Sequence, residues 1–515
     1  MNIFLNKFHN VLVKIIIYIS IVFFSILAFS SLLITTYYPN NNENVAYNFS
    51  NSIPVIICSI ITVIIIYLLI RYHILEHVSL NNVVWILSVY ILVASIAWAL
   101  LANVWPEFDS KDLINAASEL GINYDANWAP GWYMERFPYQ LPYVLLIRGL
   151  QYIFGSSQIY VVLEFLNAIC ASATAALTVF YTKLLFNDYA AKITSLLLFF
   201  FMPLILFTTL AYGNIPSMPF LMAALIFQLL YFKTRKFIYN IAAAIMITLS
   251  ILLKSTMLVA LLAMIVLWIV DSFRSKRIKN IIAIILSLLL YTVSLHGLNY
   301  VISNRYDVNL ENGLPKTAWI AMGLQDEKNY TNPGWYNGYI WNWQDNYDPD
   351  IANKDSIESI KKSLSHFVND PQYALSFTLR KQASIWLDPT YETILNSNWH
   401  SVNGSSMYTR PMTRFVNSIY NGKLNIVITI ICDVVQFITL FASVIAFIYL
   451  RKRNDIYLYG GLITCLGFGV LYLIWEAKAQ YSFPVYVLLL VYAGYGLQML
   501  SEFLNKQHNS IVFLK

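Results

Sequence analysis

The run VVWILSVYILVASIAWALLAN occupies residues 83–103, and VWPEFDSKD follows it at 104–112. At 1.5 Å per residue the first run is long enough to cross a hydrocarbon core of about 30 Å as a single helix. The second run sets Glu107, Asp109 and Asp112, with Lys111 among them, at the boundary between lipid and water. A carboxylate held there meets substrates arriving from water, and a lipid-borne reactant reaches the same place from the bilayer.

Outward from this point the same pattern repeats. Apolar stretches lie at about 11–37, 53–70 and 83–103 before the acidic loop. Others follow it at 141–154, 158–186, 192–210, 215–232, 237–253, 256–272 and 279–298, and three more close the chain at 425–449, 457–474 and 483–503. The chain is 58% hydrophobic and 12% charged, with a mean hydropathy of +0.59. A soluble chain carries about 25% charged residues. The pattern is that of an all-α polytopic membrane protein, so the net charge of +6 bears on topology and anionic lipid rather than on nucleic acid.

Basic residues orient such a chain toward the cytoplasm. Lys7, Arg71, Lys233 to Lys236, Arg274 to Lys279, Arg451 to Arg453 and Lys506 are therefore expected inside, with both termini. The loop 38–52 has no Lys or Arg and is expected outside, together with 104–140, 299–424 and 475–482. Seven crossings between two outer segments are impossible, so one stretch among 141–232 is expected to be re-entrant or interfacial. The short 141–154 run with Arg148 and the pair broken at Gly213 to Pro216 are the two choices. About 12 spans result. The expected division is 1–103 and 141–298 as membrane helices, 104–140 as an acidic outer loop, 299–424 as a small mixed outer domain, and 425–515 as the last membrane helices.

Inside 299–424, Ile357, Ile360, Leu364 and Phe367 recur at helical spacing after Asp355. Asp370-Pro371 reads as a cap and first-turn proline, opening a second helix that stops before Asp388-Pro389. Both helices are expected to lie on the membrane surface. Asp348-Pro-Asp350, with Asp345 nearby, fits a metal–nucleotide-sugar pattern, but a proline turn or weak calcium site suits an outer segment better. Cys58, Cys170, Cys432 and Cys465 all fall in apolar runs without CxxC spacing, and of the scattered histidines only His73 and His77 stand at i, i+4, with no third ligand close by in the sequence. Glu164, in an apolar run, is expected to pair with Arg148.

Asp109 is the choice for a general base, because a carboxylate within hydrogen-bond reach removes the proton of an attacking hydroxyl. The competing reading is a solvated acid or a helix cap; Asp112, ahead of Ile114, Ala117 and Leu120, suits the cap better. A phosphate leaving group needs cations, and Lys111, Arg136, Lys254, Arg380, Lys381 and Lys478 are available. Lys254 interrupts two strongly apolar runs, where a cation must be paired, wet or snorkelling to the interface.

Several motifs stand in a familiar order. MERFPYQLPY at 134–143 resembles the segment opening the next helix in Gram-positive members of the protein O-mannosyltransferase-like superfamily. Lys254 stands where those proteins often have Leu-Lys. AWIAMGL at 318–324 with GWYN at 334–337, Lys381 with Trp386 and Pro389, and WEAKAQY at 475–481 before Pro484 are similar to their outer-domain and last-turn signatures. Gln480 replaces their usual Arg, and no pair of adjacent acids is present, Glu107 and Asp109 being two apart.

The resemblance covers about 83–500 and implies a GT-C-like fold, a polyprenyl-phosphate-linked sugar as donor, and metal independence without a cofactor. It carries the base onto Asp109, and of the cations available Arg136, Lys254 and Lys478 are chosen for the donor phosphate. Glu107, Asp112, Tyr139, Gln140 and Glu476 are in support. The reading is a multi-pass cell-membrane glycosyltransferase, embedded in the lipid bilayer and acting on its outer face, with a cell-envelope polymer, glycolipid or protein as acceptor. A polysaccharide polymerase or ligase, or a lipid-linked sugar transporter, are the alternatives.

Overall fold

A computed structural model describes residues 2–39, 43–49, 51–122, 127–275, 278–311, 313–326, 332–343, 347–403 and 412–512. The chain runs through α1 (Asn2–Leu33), a ribbon of β1 (Thr35–Tyr37) and β2 (Ala46–Asn48), α2 (Ser52–Arg71), α3 (Leu80–Ala102) and α4 (Phe108–Glu119). Next come α5 (Leu141–Phe154), α6 (Ile159–Leu185), α7 (Asp188–Phe200), α8 (Asn214–Thr234), α9 (Ile238–Leu253), α10 (Leu258–Ser275) and α11 (Ile278–Tyr306). The outer segment supplies α12 (Lys316–Gly323), α13 (Pro349–Asn369), α14 (Pro371–Trp386), α15 (Thr393–Asn403) and α16 (Met412–Asn421). The last helices are α17 (Lys423–Leu450), α18 (Gly460–Ile474) and α19 (Phe483–Val512).

Ten of these helices are long and apolar enough to cross a membrane among the described residues. An eleventh span is α7 continued by Pro203–Thr209 across a 56° bend. Its cause is local: Phe201 and Met202 leave the helix and Pro203 cannot donate to it. Helix α9 has 16 residues and is apolar but short. Counted as a span, it brings the total to the expected twelve. Six crossings then separate the acidic loop from the outer segment, and α5, with 14 residues, is the stretch that does not cross.

The core is organised on α19, where every residue from Val485 to Ala493 is fully buried. It packs on α17 so closely that a Cβ on Gly496 would lie 1.8 Å from the Ala442 carbonyl oxygen. Only glycine permits that approach, the usual device for packing helices in lipid. At the periphery only 11% of the apolar window of α11 and 17% of that of α2 are buried, so these helices face lipid.

The connections at one end form a single body. In the ribbon, Thr35 pairs with Asn48 and Tyr37 with Ala46 in antiparallel register. Its Thr36 N–H donates to the Leu387 carbonyl at 3.1 Å. The Leu314 N–H donates to Arg136 O at 3.0 Å, that of Glu476 to Trp319 O at 3.0 Å, and that of Ala477 to Gly334 O at 3.1 Å. Loops 34–51, 103–140, 307–422 and 475–482 are thereby bound together. Arg71, Lys233 to Lys236 and Arg451 to Arg453 stand at the opposite ends of α2, α8 and α17, on the alternate connections, and residues 276 and 277 lie outside the described residues.

Helix α14 begins at Pro371 under an Asp370 cap that accepts from Tyr373 N, and ends at Trp386, as its proline punctuation indicates. Helix α13 starts earlier than the periodicity suggests. Asp348 is its cap, accepting from the N–H groups of Asp350 and Ile351, so the Asp-Pro-Asp motif is a helix start. Asp345 lies outside the described residues. The strands belong to the first loop, and the described part of the outer segment is helical rather than mixed.

Candidate functional site

Asp109 stands in the first turn of α4. The chain reaches it through two left-handed residues, Asn103 (φ 44°) and Phe108 (φ 49°), which fold the acidic loop back over the end of α3. Each such conformation costs an ordinary residue roughly 1–2 kcal/mol. Phe108 is held by its ring contact with Trp399, 5.3 Å between centroids. The Asp109 carboxylate is open to solvent but lies in a crevice with protein on every side. That crowding raises its pKa, while the charges of Lys478 and Lys254 and a hydrogen bond donated by Tyr133 act to lower it.

Lys254 is the link between α9 and α10, in extended conformation between Leu253 and a 3-10 turn at Ser255–Met257. The 210–213 turn presses against it: a Cβ on Gly213 would lie 1.8 Å from Leu253 O, so a side chain there would push the turn away. The Lys254 ammonium sits 4.1 Å from the Tyr212 ring centroid and 5.1 Å from that of Tyr481. Cation–π contact is what a half-buried ammonium at a membrane edge requires. Burial pushes it down to about 8, against the charges of Asp109 and Glu476.

Lys478 is ion-paired with Glu43 of the first loop, with side chains 14% and 15% exposed. Burial works to lower its pKa, but Glu43 and Glu392 overcome this and keep it charged. Asn332 fastens Glu43 in place, donating to its carbonyl at 2.7 Å and accepting from Val45 N at 3.0 Å. Glu476 is buried, with Oε1 lacking a hydrogen-bond partner. Burial lifts it to about 7, with Lys478 and Lys254 opposing.

Glu392 completes the set. It follows Tyr391, and both are left-handed, at φ 59° and 53°. Asp388 makes this turn by accepting from the N–H groups of Thr390 (2.8 Å) and Glu392 (2.6 Å) and from the Tyr38 hydroxyl (2.9 Å). Glu392 Oε1 accepts from Gln480 N at 3.3 Å, and burial pushes its pKa up to about 8.

The crevice thus gathers two ammonium groups and four carboxyls, walled by Tyr133, Tyr139, Tyr212, Tyr336 and Tyr481. Four of its residues (Asp109, Lys254, Lys478, Glu476) are among those the sequence singled out. Tyr139 reaches the same charges, and Gln140 donates to the Tyr212 hydroxyl. Glu43 and Glu392 went unseen. The only signals were an acid within an Asn-rich loop and one just past Asp388-Pro389.

Other expected residues fall elsewhere. Arg136 is 0% exposed; it donates to the carbonyls of Gly131 and Ile340 and lies between the Trp341 and Tyr347 rings, 4.8 and 5.0 Å away. Its guanidinium holds the acidic loop to the outer segment through Nε and Nη1, while Nη2 is buried without a hydrogen-bond partner. Glu107 pairs with Lys111 at 3.6 Å. Asp112 is not a cap, because α4 begins at Phe108; burial and the neighbouring Asp109 charge lift it to about 6. Arg380 pairs with Asp326 at 2.6 Å. Glu164 makes no ion pair with Arg148 among the described residues; it is buried, with Oε1 unpartnered. No group of three His, Cys, Asp or Glu placed to hold a metal occurs among the described residues.

Lys381 has a structural use as well. Its ammonium donates to Gly323 O (2.7 Å), Trp475 O (2.9 Å) and Leu473 O (3.3 Å), closing the end of α18 against the outer segment. Replacing it with Met leaves buried carbonyls unsatisfied, at about 1–3 kcal/mol each before relaxation. Lys381→Met is expected to lower the melting temperature in detergent by several degrees while donor affinity per folded molecule is unchanged. A wild-type melting curve would show that these bonds contribute nothing.

Residues 141–296 match the family model described as dolichyl-phosphate-mannose-protein mannosyltransferase. The matched segment runs from α5 into α11 and contains Tyr212 and Lys254. Among solved structures, the chain is similar to the Archaeoglobus fulgidus oligosaccharyltransferase in its apo form, with 14% identity and TM-score 0.44 over 85% of this chain and 52% of that one. It is also similar to the oligosaccharyltransferase AglB from the same organism in complex with an inhibitory peptide and a dolichol-phosphate, with 12% identity and TM-score 0.39 over 82% and 51%. The chain spans about half the length of these structures. No curated protein matches it. The architecture is all-α, polytopic and GT-C-like, and the chain is similar to the protein O-mannosyltransferase-like superfamily.

Proposed function

We propose that this chain, similar over residues 141–296 to dolichyl-phosphate-mannose-protein mannosyltransferases, transfers a sugar from a polyprenyl-phosphate donor to an acceptor hydroxyl. The observation that carries the reading is the placement of a solvent-reachable Asp109 carboxylate within charge reach of Lys254 and Lys478, at the membrane end where the loops converge. Asp109 takes the acceptor's proton as its oxygen attacks the anomeric carbon. The bond from that carbon to the phosphate oxygen breaks, the electron pair leaves with the lipid phosphate, and the anomeric centre inverts. Lys254 and Lys478 meet the charge gathering on the phosphate. The buried Glu476 and Glu392, both lifted toward neutrality, spare the phosphate two repulsive charges. In native membranes the chain should release polyprenyl phosphate from radiolabelled donor. Equal release from membranes lacking the chain would overturn the reading.

The protonation states set the pH profile. Asp109 must be ionised, and its pKa is raised, so activity is lost on the acid side above the ordinary carboxylate value of about 3.9. Lys254 must be protonated, so activity is also lost as pH rises through about 8. The rate constant kcat/KM is expected to be bell-shaped, with the alkaline limb moving upward in Lys254→Arg. A profile flat through pH about 8 would contradict the Lys254 assignment, and one with no acid limb above the ordinary carboxylate value would contradict that of Asp109.

The reading places the crevice on the outer face, with both termini in the cytoplasm. A membrane-impermeant thiol reagent should then label a cysteine at the exposed Lys361 in intact cells, but not one at Thr234. The reverse pattern would invert the topology. Asn346 and Ser405, two further positions of the segment 299–424 expected outside, lie outside the described residues.

A further inference from the structure

A second cleft, of about 550 Å³, opens between the outer end of α11 and the loops 136–139 and 310–314. Its lining includes Tyr139, Leu295, His296, Asn299, Tyr300 and Glu311. Tyr139 is shared with the first crevice, where Asp109 and Glu476 act on its hydroxyl. The two spaces therefore meet across one ring.

The lining of this cleft differs from that of the crevice. It carries an imidazole, an amide, a carboxylate and phenol rings, and the Arg136 guanidinium that also lines it is fully buried, with Nε and Nη1 bonded to carbonyls and Nη2 unpartnered. A phosphate finds no open cation among these groups. The Asn299 amide donates to Leu310 O at 3.5 Å, and its Oδ1 is buried without a partner. Neutral, directional polar groups beside aromatic faces suit a polyhydroxylated ligand, and the size suits one or two sugar rings. The cleft is mounted on α11, the most lipid-exposed of the spans, and Tyr300 is 67% exposed at its mouth. A ligand seated here has its polar end beside Tyr139 and its other end in the bilayer.

We infer that this cleft binds the acceptor, and that the acceptor is the sugar headgroup of a membrane-anchored glycolipid, whose hydroxyl passes Tyr139 to reach Asp109. The inference rests on the transferase reading above and selects one acceptor class from it.

The test uses full-length protein in native membranes whose polyprenyl-phosphate sugar pool carries a radiolabel. Label is followed from the mild-acid-labile lipid fraction into products. Wild type should move it into an acid-stable, lipid-extractable, protease-insensitive product. Asn299→Trp and Leu295→Trp, which fill the cleft, should cut that transfer at least tenfold. Val301→Trp, on the same helix but outside the cleft, should transfer normally. Tyr300→Cys alkylated with a bulky maleimide after folding should give the same block without any demand on folding. Normal transfer by the blocked protein, or wild-type product that is protease-sensitive or not lipid-extractable, overturns the inference. Two controls separate the ideas: if Asp109→Asn is dead while blocked proteins work, the cleft assignment alone fails, and if membranes lacking the chain transfer as well as wild type, the transferase reading fails.

Discussion

Asp109→Asn should lower turnover by about 10²- to 10⁴-fold, the usual worth of a positioned general base. The substitution keeps the shape of the side chain and leaves an oxygen to accept from the Tyr133 hydroxyl, so α4 and the crevice persist. What it removes is the group that takes a proton. Donor binding should be kept or slightly strengthened, because Lys254 and Lys478 remain and one negative charge facing the phosphate is gone. Asp112→Asn is the internal comparison. Asp112 lies one turn further along α4, half-buried, and its replacement should cost about 1 kcal/mol or less of stability with turnover near wild type. Turnover and donor binding measured on both variants separate the roles. A dead Asp112 variant beside an active Asp109 variant would move the base by one turn.

Lys254→Met should weaken donor use rather than the fold. It removes one charge-assisted hydrogen bond to phosphate, worth about 1.5–3 kcal/mol, which corresponds to roughly a 10- to 150-fold loss in kcat/KM. Met fills the space between the Tyr212 and Tyr481 rings, and the apolar helices on either side lose an ammonium that was costly to bury, so melting should be unchanged. Lys254→Arg should recover part of the loss, since the charge is restored but the compact ammonium is not. The contrast with Lys381→Met, destabilised but normal in donor affinity, distinguishes a cation aimed at substrate from one spent on carbonyls. Unchanged kcat/KM in Lys254→Met would show that the phosphate sits elsewhere.

Much of the fold was legible because membrane spans announce themselves by length and apolarity. In the seven-stretch block, α5 with 14 residues and α9 with 16 are both shorter than the other spans, and α7 needs its continuation beyond Pro203 to make one. The Asp370 cap is readable as proline punctuation, whereas Asp348 reads as a proline turn or weak calcium site and the helix it caps as starting only after Asp355. The site was legible only in part. Asp109 and Lys254 are conspicuous as polar groups at the edges of apolar runs. Arg136 looks the same in the sequence, and its commitment to the Ile340 carbonyl, 204 positions away, is invisible there. Glu43 meets Lys478 across 435 positions, and Glu392 becomes a crevice wall only through two left-handed residues at its turn. Pairings at that range are made by the tertiary fold and leave no local periodicity.

The most direct test of the central claim is mass spectrometry of the lipids from cells whose only copy of the chain carries Asp109→Asn. If Asp109 is the base of a polyprenyl-phosphate-dependent transferase, the variant reaches the membrane in normal amount and polyprenyl-phosphate-linked sugar accumulates well above the wild-type level, as it does when the chain is deleted. A lipid profile indistinguishable from wild type in both strains would contradict the account.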